Sequence, residues 1–250
     1  MHLGTSVIIP VRNGAAYIGE AMSSVLVQLD QKDELIIVDD GSTDDTRSVI
    51  TAAADSRVRV LATPPRGVSA ARNIGLAAAR GEFIGFIDHD DLWPAGRQEF
   101  MRSVLMKKSI VDAVFGRIRI RFEPEVAPSP KYSAMDGKFF PGGIGSGLYR
   151  RSIIDRVHGF AEDMGSAEDV DFYVRLREAG MRIEFCEIDS LVYRRHKSNA
   201  TNDRHALRVG FIDTLRRKLS RPRLDAHSQD TDTRSSSCAS TDRAVASRKF

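Results

Sequence analysis

Leu35, Ile36, Ile37 and Val38 form an unbroken apolar run, and this run constrains the fold more than any other stretch. A strand wetted on one face alternates apolar and polar residues. A strand without alternation needs cover on both faces, as in a parallel sheet flanked by helices. Short apolar runs recur at residues 6–10, 58–61 and 81–87, with segments of helical period between them. Residues 15–28 carry Ile18, Met22, Val25 and Leu26 at helical spacing after the turn pair Asn13-Gly14. Ser42, Thr43, Asp44 and Asp45 offer N-caps for a helix reaching residue 54, and Gly67 opens another running to residue 79. Repeated β-α units of this kind imply right-handed crossovers and an α/β fold with a doubly wound, mostly parallel central sheet.

The second half changes character. Pro94 is placed to open a helix reaching residue 107, and residues 111–122 form a long strand. Residues 123–147 are rich in Pro and Gly and lack helical period. A segment this long is expected to be mobile without ligand and to order over it. A helix over 168–179, a strand over 181–193 and a basic helix over 206–219 follow, the last carrying Arg216, Arg217 and Lys218. From residue 220 the chain is Ser, Asp, Arg and Thr with too few apolar residues to order itself. The expected organisation is one domain over 1–219, with a nucleotide-binding half (1–93) and a smaller mixed acceptor-side half (94–219), then a low-complexity tail.

No apolar run is long enough to span a bilayer, and the chain enters a strand at once, without a secretory leader. Cys186 and Cys238 lie in unrelated contexts and show no metal-binding spacing. These features favour a cytoplasmic, reduced protein. The net charge of +3 is small and its basic excess sits near the C-terminus, so the body is close to neutral and no nucleic-acid partner is expected. The basic helix leaves room for a peripheral contact with the anionic inner face of a membrane.

The run at 81–87 ends in Asp88, His89, Asp90 and Asp91. Carboxylates crowded at a strand end repel one another unless a cation lies between them. A hard divalent ion, Mg²⁺ or Mn²⁺, itself bound to phosphate oxygens, meets that need. The carboxyl ends of strands in open α/β sheets are also where ligands bind. On a continuing strand Asp88 and Asp90 would share one face. The plainer alternative is an acidic turn leading into the helix after Trp93-Pro94, with Asp91 as its cap.

Six segments in order carry a family resemblance: residues 6–13, 37–44, 67–75, 88–91, 167–171 and 193–196. Together they resemble the family 2 glycosyltransferases, which are inverting enzymes of GT-A fold. The resemblance implies transfer of a sugar from a nucleoside-diphosphate donor, UDP-linked by preference, to a saccharide, lipid-linked or other hydroxyl acceptor. It assigns Pro10, Arg12, Asp40, Arg72, Asn73, Asp88, His89 and Arg195 to the donor, with Asp40 on the base. It makes Asp90, with Asp88 and His196, the ligands of Mn²⁺ or Mg²⁺. It makes Asp169 the general base, with Glu168 positioning it or the acceptor. Each assignment has a structural alternative: Asp40 as a turn or cap residue, Arg72 as a bridge between two acids, Asp169 as a helix cap, His196 as a structural imidazole, and Arg194 and Arg195 as a solvated strand end. Rival functions are a nucleotidyltransferase and a binding module without catalysis. The first needs a Gly-rich phosphate loop that residues 9–14 do not supply, and the second leaves the metal carboxylates and the base unexplained.

Overall fold

The computed structural model describes residues 4–53, 55–140 and 143–221. Strand β1 (Thr5–Val11) lies at the centre of the first half. Strands β2 (Glu34–Asp39) and β4 (Phe83–Phe86) flank it in parallel, and β3 (Val58–Ala62) extends β2 in parallel. The unbroken apolar runs split by the period of two that strand geometry imposes. Val7, Ile9, Leu35 and Ile37 pack to one side with Ile18, Met22 and Val25 of α1 (Ile18–Leu26). Ile8, Ile36, Val38, Ile84 and Phe86 pack to the other with Ala71 of α3 (Val68–Ala78). Both faces are covered, so the buried polar residues these strands do carry, Thr5, Ser6 and Asp39, sit at strand ends where each finds a hydrogen-bond partner.

The sheet does not stop at the expected half boundary. Strand β7 (Gly147–Arg150) pairs antiparallel with β4 and carries the sheet into the second half. Strand β5 (Ala113–Phe122) is antiparallel to β7 and to the short β6 (Lys138–Phe139), and parallel to β8 (Ile183–Arg195). The order is β3-β2-β1-β4-β7-β5-β6, with β8 against β5. Phe86, Phe160 and Phe172 lock α7 (Glu168–Glu178) to the sheet, Phe160 and Phe172 stacking at 4.0 Å between centroids.

Several expectations need correcting. Helix α4 (Arg97–Lys107) starts at Arg97 rather than Pro94, because Gly96 at φ 77° takes a left-handed conformation just before it. The 123–147 segment is not structureless: it contains α5 (Pro130–Ser133), β6 and a 3₁₀ turn (Ile144–Ser146), each too short to show a period. β7 and α6 (Arg151–Asp155) were not foreseen for the same reason. β8 runs through Arg194 and Arg195. Helix α2 (Thr46–Ala52) stops before residue 54, which lies outside the described residues. Helix α8 (Arg204–Ser220) takes in Ser220, and Arg221 pairs with Asp171 and, at 2.7 Å, with Glu178. The rest of the low-complexity tail, Cys238 included, lies outside the described residues. Cys186 on β8 is a free thiol. Among the described residues no helix is long and apolar enough to cross a membrane.

Candidate active site

Asp40 and the residues 88–91 lie just past the carboxyl ends of β2 and β4, beside β1 in the sheet. Because β4 ends at Phe86, Asp88 and Asp90 stand on a tight turn and not on a strand, with the Asp91 N–H donating to the Asp88 carbonyl at 3.1 Å. They do not act as strand mates on one face, and each has found its own partner. Asp88 Oδ1 accepts from Arg72 Nη2 at 2.8 Å. Asp90 Oδ2 lies 2.9 Å from His196 Nε2 and accepts from Asn199 Nδ2 at 3.3 Å. Asp91 does not cap the next helix. It is buried, and its Oδ1 accepts the Arg194 backbone N–H at 3.0 Å, fastening the turn to β8.

This division of partners answers the repulsion of crowded carboxylates. Burial works to raise the Asp90 carboxyl, but the hydrogen bond with His196 and the nearby His89 overcome it and hold the group below its ordinary value. For Asp91 the balance goes the other way: burial first, then Asp90 and Asp88, drive it well above the ordinary carboxylate range, and the Arg194 N–H and guanidinium oppose them without prevailing.

Arg72 joins this turn to α7. It is buried on α3, and Nη1 donates to Glu168 Oε1 at 2.7 Å while Nη2 holds Asp88. The alternative of an arginine bridging two acids is therefore what the geometry contains, and both acids are candidate site residues. Asp169 follows Glu168 at the start of α7, its Oδ1 accepting the Val170 N–H at 2.8 Å. Burial, and then the neighbouring Glu168, push its carboxyl up to about 7, Arg72 opposing them. The helix start, which favours an anion, does not prevail over that desolvation.

Other candidates occupy different places. Both ring nitrogens of His196 are engaged, Nε2 with Asp90 and Nδ1 with Ser198 Oγ at 2.9 Å, and its ring stacks on Tyr17 at 4.4 Å. It thus orients Asp90 rather than presenting a free nitrogen. Arg194 and Arg195 are not a solvated strand end, because β8 continues through both and buries them. Arg194 holds Glu20 at 2.7 Å and the Asp90 carbonyl. Arg195 holds Tyr193, Thr201 and Asn202 and lies 4.0 Å over the Tyr132 ring. All three Arg194 nitrogens are thus engaged, whereas Arg195 keeps a buried Nε–H without a partner among the described residues. Asn73 is tied to the Phe160 backbone at 2.7 and 2.9 Å and to Glu162 at 2.9 Å, which fixes the loop before α7. Asp40 accepts the backbone N–H of Arg66 at 2.7 Å and of Gly67 at 2.8 Å, so it organises the entry to α3. Pro10 is buried on β1 opposite Val38, Arg12 is exposed just past β1, and His89 packs over Gly14.

Tyr17, Glu20 and Asn199 escaped the sequence reading. Only Asn199 carried a signal, since an Asn three residues past His196 suits a side chain that accepts a backbone N–H in a turn, as it does here at 2.7 Å.

Among the described residues no three His, Cys, Asp or Glu side chains gather into a group that could hold an ion unaided. The donors instead suit an ion that draws most of its ligands from elsewhere. Asp88 and Asp90 each commit one oxygen to a protein partner, and the other is not engaged by a side chain among the described residues.

The profile of the family described as Glycosyl transferase family 2 matches residues 6–157. The chain belongs to that family. Among its family 2 relatives is WfgD of Escherichia coli, a UDP-Glc:alpha-D-GlcNAc-diphosphoundecaprenol beta-1,3-glucosyltransferase. It is 39% identical over 106 residues, which are 42% of this chain and 42% of WfgD. Two solved structures share the fold. TarS of S. aureus in complex with UDP-GlcNAc superposes with a TM-score of 0.64 at 21% identity, over 80% of this chain and 60% of that one. Mannosyltransferase PcManGT from Pyrobaculum calidifontis, in complex with GDP-Man and Mn²⁺, gives 0.65 at 22% identity, over 87% and 64%. The mixed sheet of this family 2 chain is thus the GT-A arrangement, and the chain spans only part of the length of each of these relatives.

Proposed function

We propose that this chain transfers a sugar from a nucleoside-diphosphate donor to an acceptor hydroxyl by direct displacement, with inversion and with Asp169 as general base. The observation that carries the reading is Arg72, a buried cation held 2.8 Å from Asp88 and 2.7 Å from Glu168. It binds the turn that would face the donor diphosphate to the helix start that would face the acceptor. The two halves of a displacement site are thereby held in fixed relation, which is what proximity catalysis requires.

Asp169 suits the base. A carboxyl raised to about 7 is ionised for a large part of the time at neutral pH and is far more basic than a surface carboxylate. Its free oxygen would take the acceptor proton as the acceptor oxygen attacks the anomeric carbon from the side opposite the diphosphate. Glu168, held by Arg72, positions that carboxylate. No covalent enzyme intermediate is needed, so no nucleophilic Ser or Cys is required.

Asp90, with Asp88, would hold Mn²⁺ or Mg²⁺, the remaining ligands coming from the diphosphate. When bound, the ion supplies positive charge to the departing nucleoside diphosphate. His196 and Asn199 keep the Asp90 carboxylate ionised and aimed. Asp40 would accept a hydrogen bond from the base with the lone pairs that Arg66 and Gly67 leave. A uridine donor is favoured because WfgD is a UDP-Glc glucosyltransferase and TarS is seen in complex with UDP-GlcNAc, with guanosine next from the PcManGT complex with GDP-Man.

The test is a screen of nucleotide-sugars for nucleoside diphosphate release with and without Mn²⁺, followed by assignment of the product anomer. Release from a UDP-sugar with inverted product supports the reading. Retention of configuration, or turnover unchanged in the Asp169→Asn variant, would overturn it.

A further inference from the structure

Helix α8 is built the wrong way round for a helix that packs on a core. Its inward face is formed by Leu207, Gly210 and Thr214, of which only Leu207 is large and apolar, with Gly210 and Thr214 buried. Its outward face carries Phe211, Ile212, Leu215 and Leu219, and the last two are 59% and 85% exposed. The small inward face has a reason. A Cβ on Gly210 would strike the Ser166 carbonyl and Ala167, so glycine is what lets α8 sit against the turn before Asp169. Among the described residues nothing packs over the outward strip to explain it in the same way. A single exposed leucine is ordinary, but four apolar side chains on one helix face mark an interaction surface.

Charge says what that surface meets. Arg204, Arg208, Arg216 and Lys218 share the exposed side, and among the described residues none of them pairs with a carboxylate at salt-bridge distance. The one acid of the helix, Asp213, is drawn inward to Arg217 at 2.8 Å. We propose that this face of α8 docks on an anionic lipid bilayer, with the apolar strip entering the interface and the cations meeting headgroup phosphates.

A second copy of the chain fits less well. A helix of 17 residues is about 25 Å long. A strip about 10 Å wide along it offers roughly 250 Å² per partner, against about 800 Å² in a stable interface. Charges are also depleted at the centres of protein interfaces, whereas here cations interleave with the apolar strip. Docking would hold the turn before Asp169 one helix diameter, about 10 Å, above the bilayer, so the acceptor would be met close to the membrane surface. That consequence rests on the proposed function, but the docking itself does not.

Flotation of the full chain with vesicles of phosphatidylcholine, with and without phosphatidylglycerol, tests the inference without donor or metal. Binding is expected only with the anionic lipid, and it should weaken as salt rises. Arg208→Gln with Arg216→Gln should lower partitioning roughly thirtyfold, about fivefold per cation. Leu215→Ser with Leu219→Ser should lower it at least roughly tenfold. All four positions are exposed, and circular dichroism would verify that both variants keep the fold. Equal binding to neutral vesicles, or binding untouched by both variants, would overturn the proposal. So would a dimer in light scattering that Leu215→Ser with Leu219→Ser dissociates, since the face would then join two copies.

Discussion

Asp169→Asn should make the protein more stable and less active, and the stability gain should depend on pH in a defined direction. The Asp169 carboxyl is displaced from 3.8 to about 7, chiefly by burial and by Glu168. In the unfolded chain it loses its proton near its ordinary value. Between about pH 4 and pH 7 the folded state therefore binds more protons than the unfolded state, and stability falls as pH rises through that window. The displacement of about three pH units corresponds to about 4 kcal/mol at 1.36 kcal/mol per unit. Asp169 is partly exposed rather than sealed, so solvent screening brings the expected figure down to about 2–3 kcal/mol. Asparagine keeps the shape, and its amide oxygen can still accept the Val170 N–H. Denaturant unfolding should find the variant ahead of wild type by that amount above about pH 8, with the gap closing toward acid pH. Turnover should fall roughly 10²-fold or more while donor affinity holds. A gap that is absent, reversed or independent of pH would show that Asp169 ionises like a surface carboxylate, and the argument from burial would fail.

Asp90→Asn should abolish turnover and weaken Mn²⁺-dependent UDP binding in calorimetry, because it removes the ionised oxygen that His196 and Asn199 aim; unchanged Mn²⁺–UDP affinity would refute the metal assignment. Asp40→Ala should weaken UDP binding and also lower stability by about 1–3 kcal/mol in chemical denaturation, since it strands the N–H groups of Arg66 and Gly67; a variant that loses stability but binds UDP normally would leave Asp40 as a loop residue alone. Asn73→Ala should cost about 1–3 kcal/mol by freeing Phe160 while leaving donor affinity unchanged, which a titration with UDP checks.

The α/β alternation, the covered sheet and the family were legible in the chain because they depend on neighbours. An unbroken apolar run such as 35–38 needs two covered faces wherever it lies, and helical spacing shows within one turn of the helix. The residue types of the site were legible too, since carboxylates at a strand end need a cation in any fold. The pairing of those residues was not. Asp90 meets His196 across 106 positions and Arg72 meets Glu168 across 96, and no local pattern encodes a contact between chain segments so far apart. For Arg194 and Arg195 the sequence leaves a phosphate contact and a solvated strand end both open, and only the length of β8, which buries both, excludes the second. The raised carboxyl of Asp169 likewise depends on desolvation by distant segments, and a linear sequence carries no record of burial. Composition alone marked α8 as basic, but which of its faces meets solvent was decided by Gly210 seating the helix on the turn before Asp169.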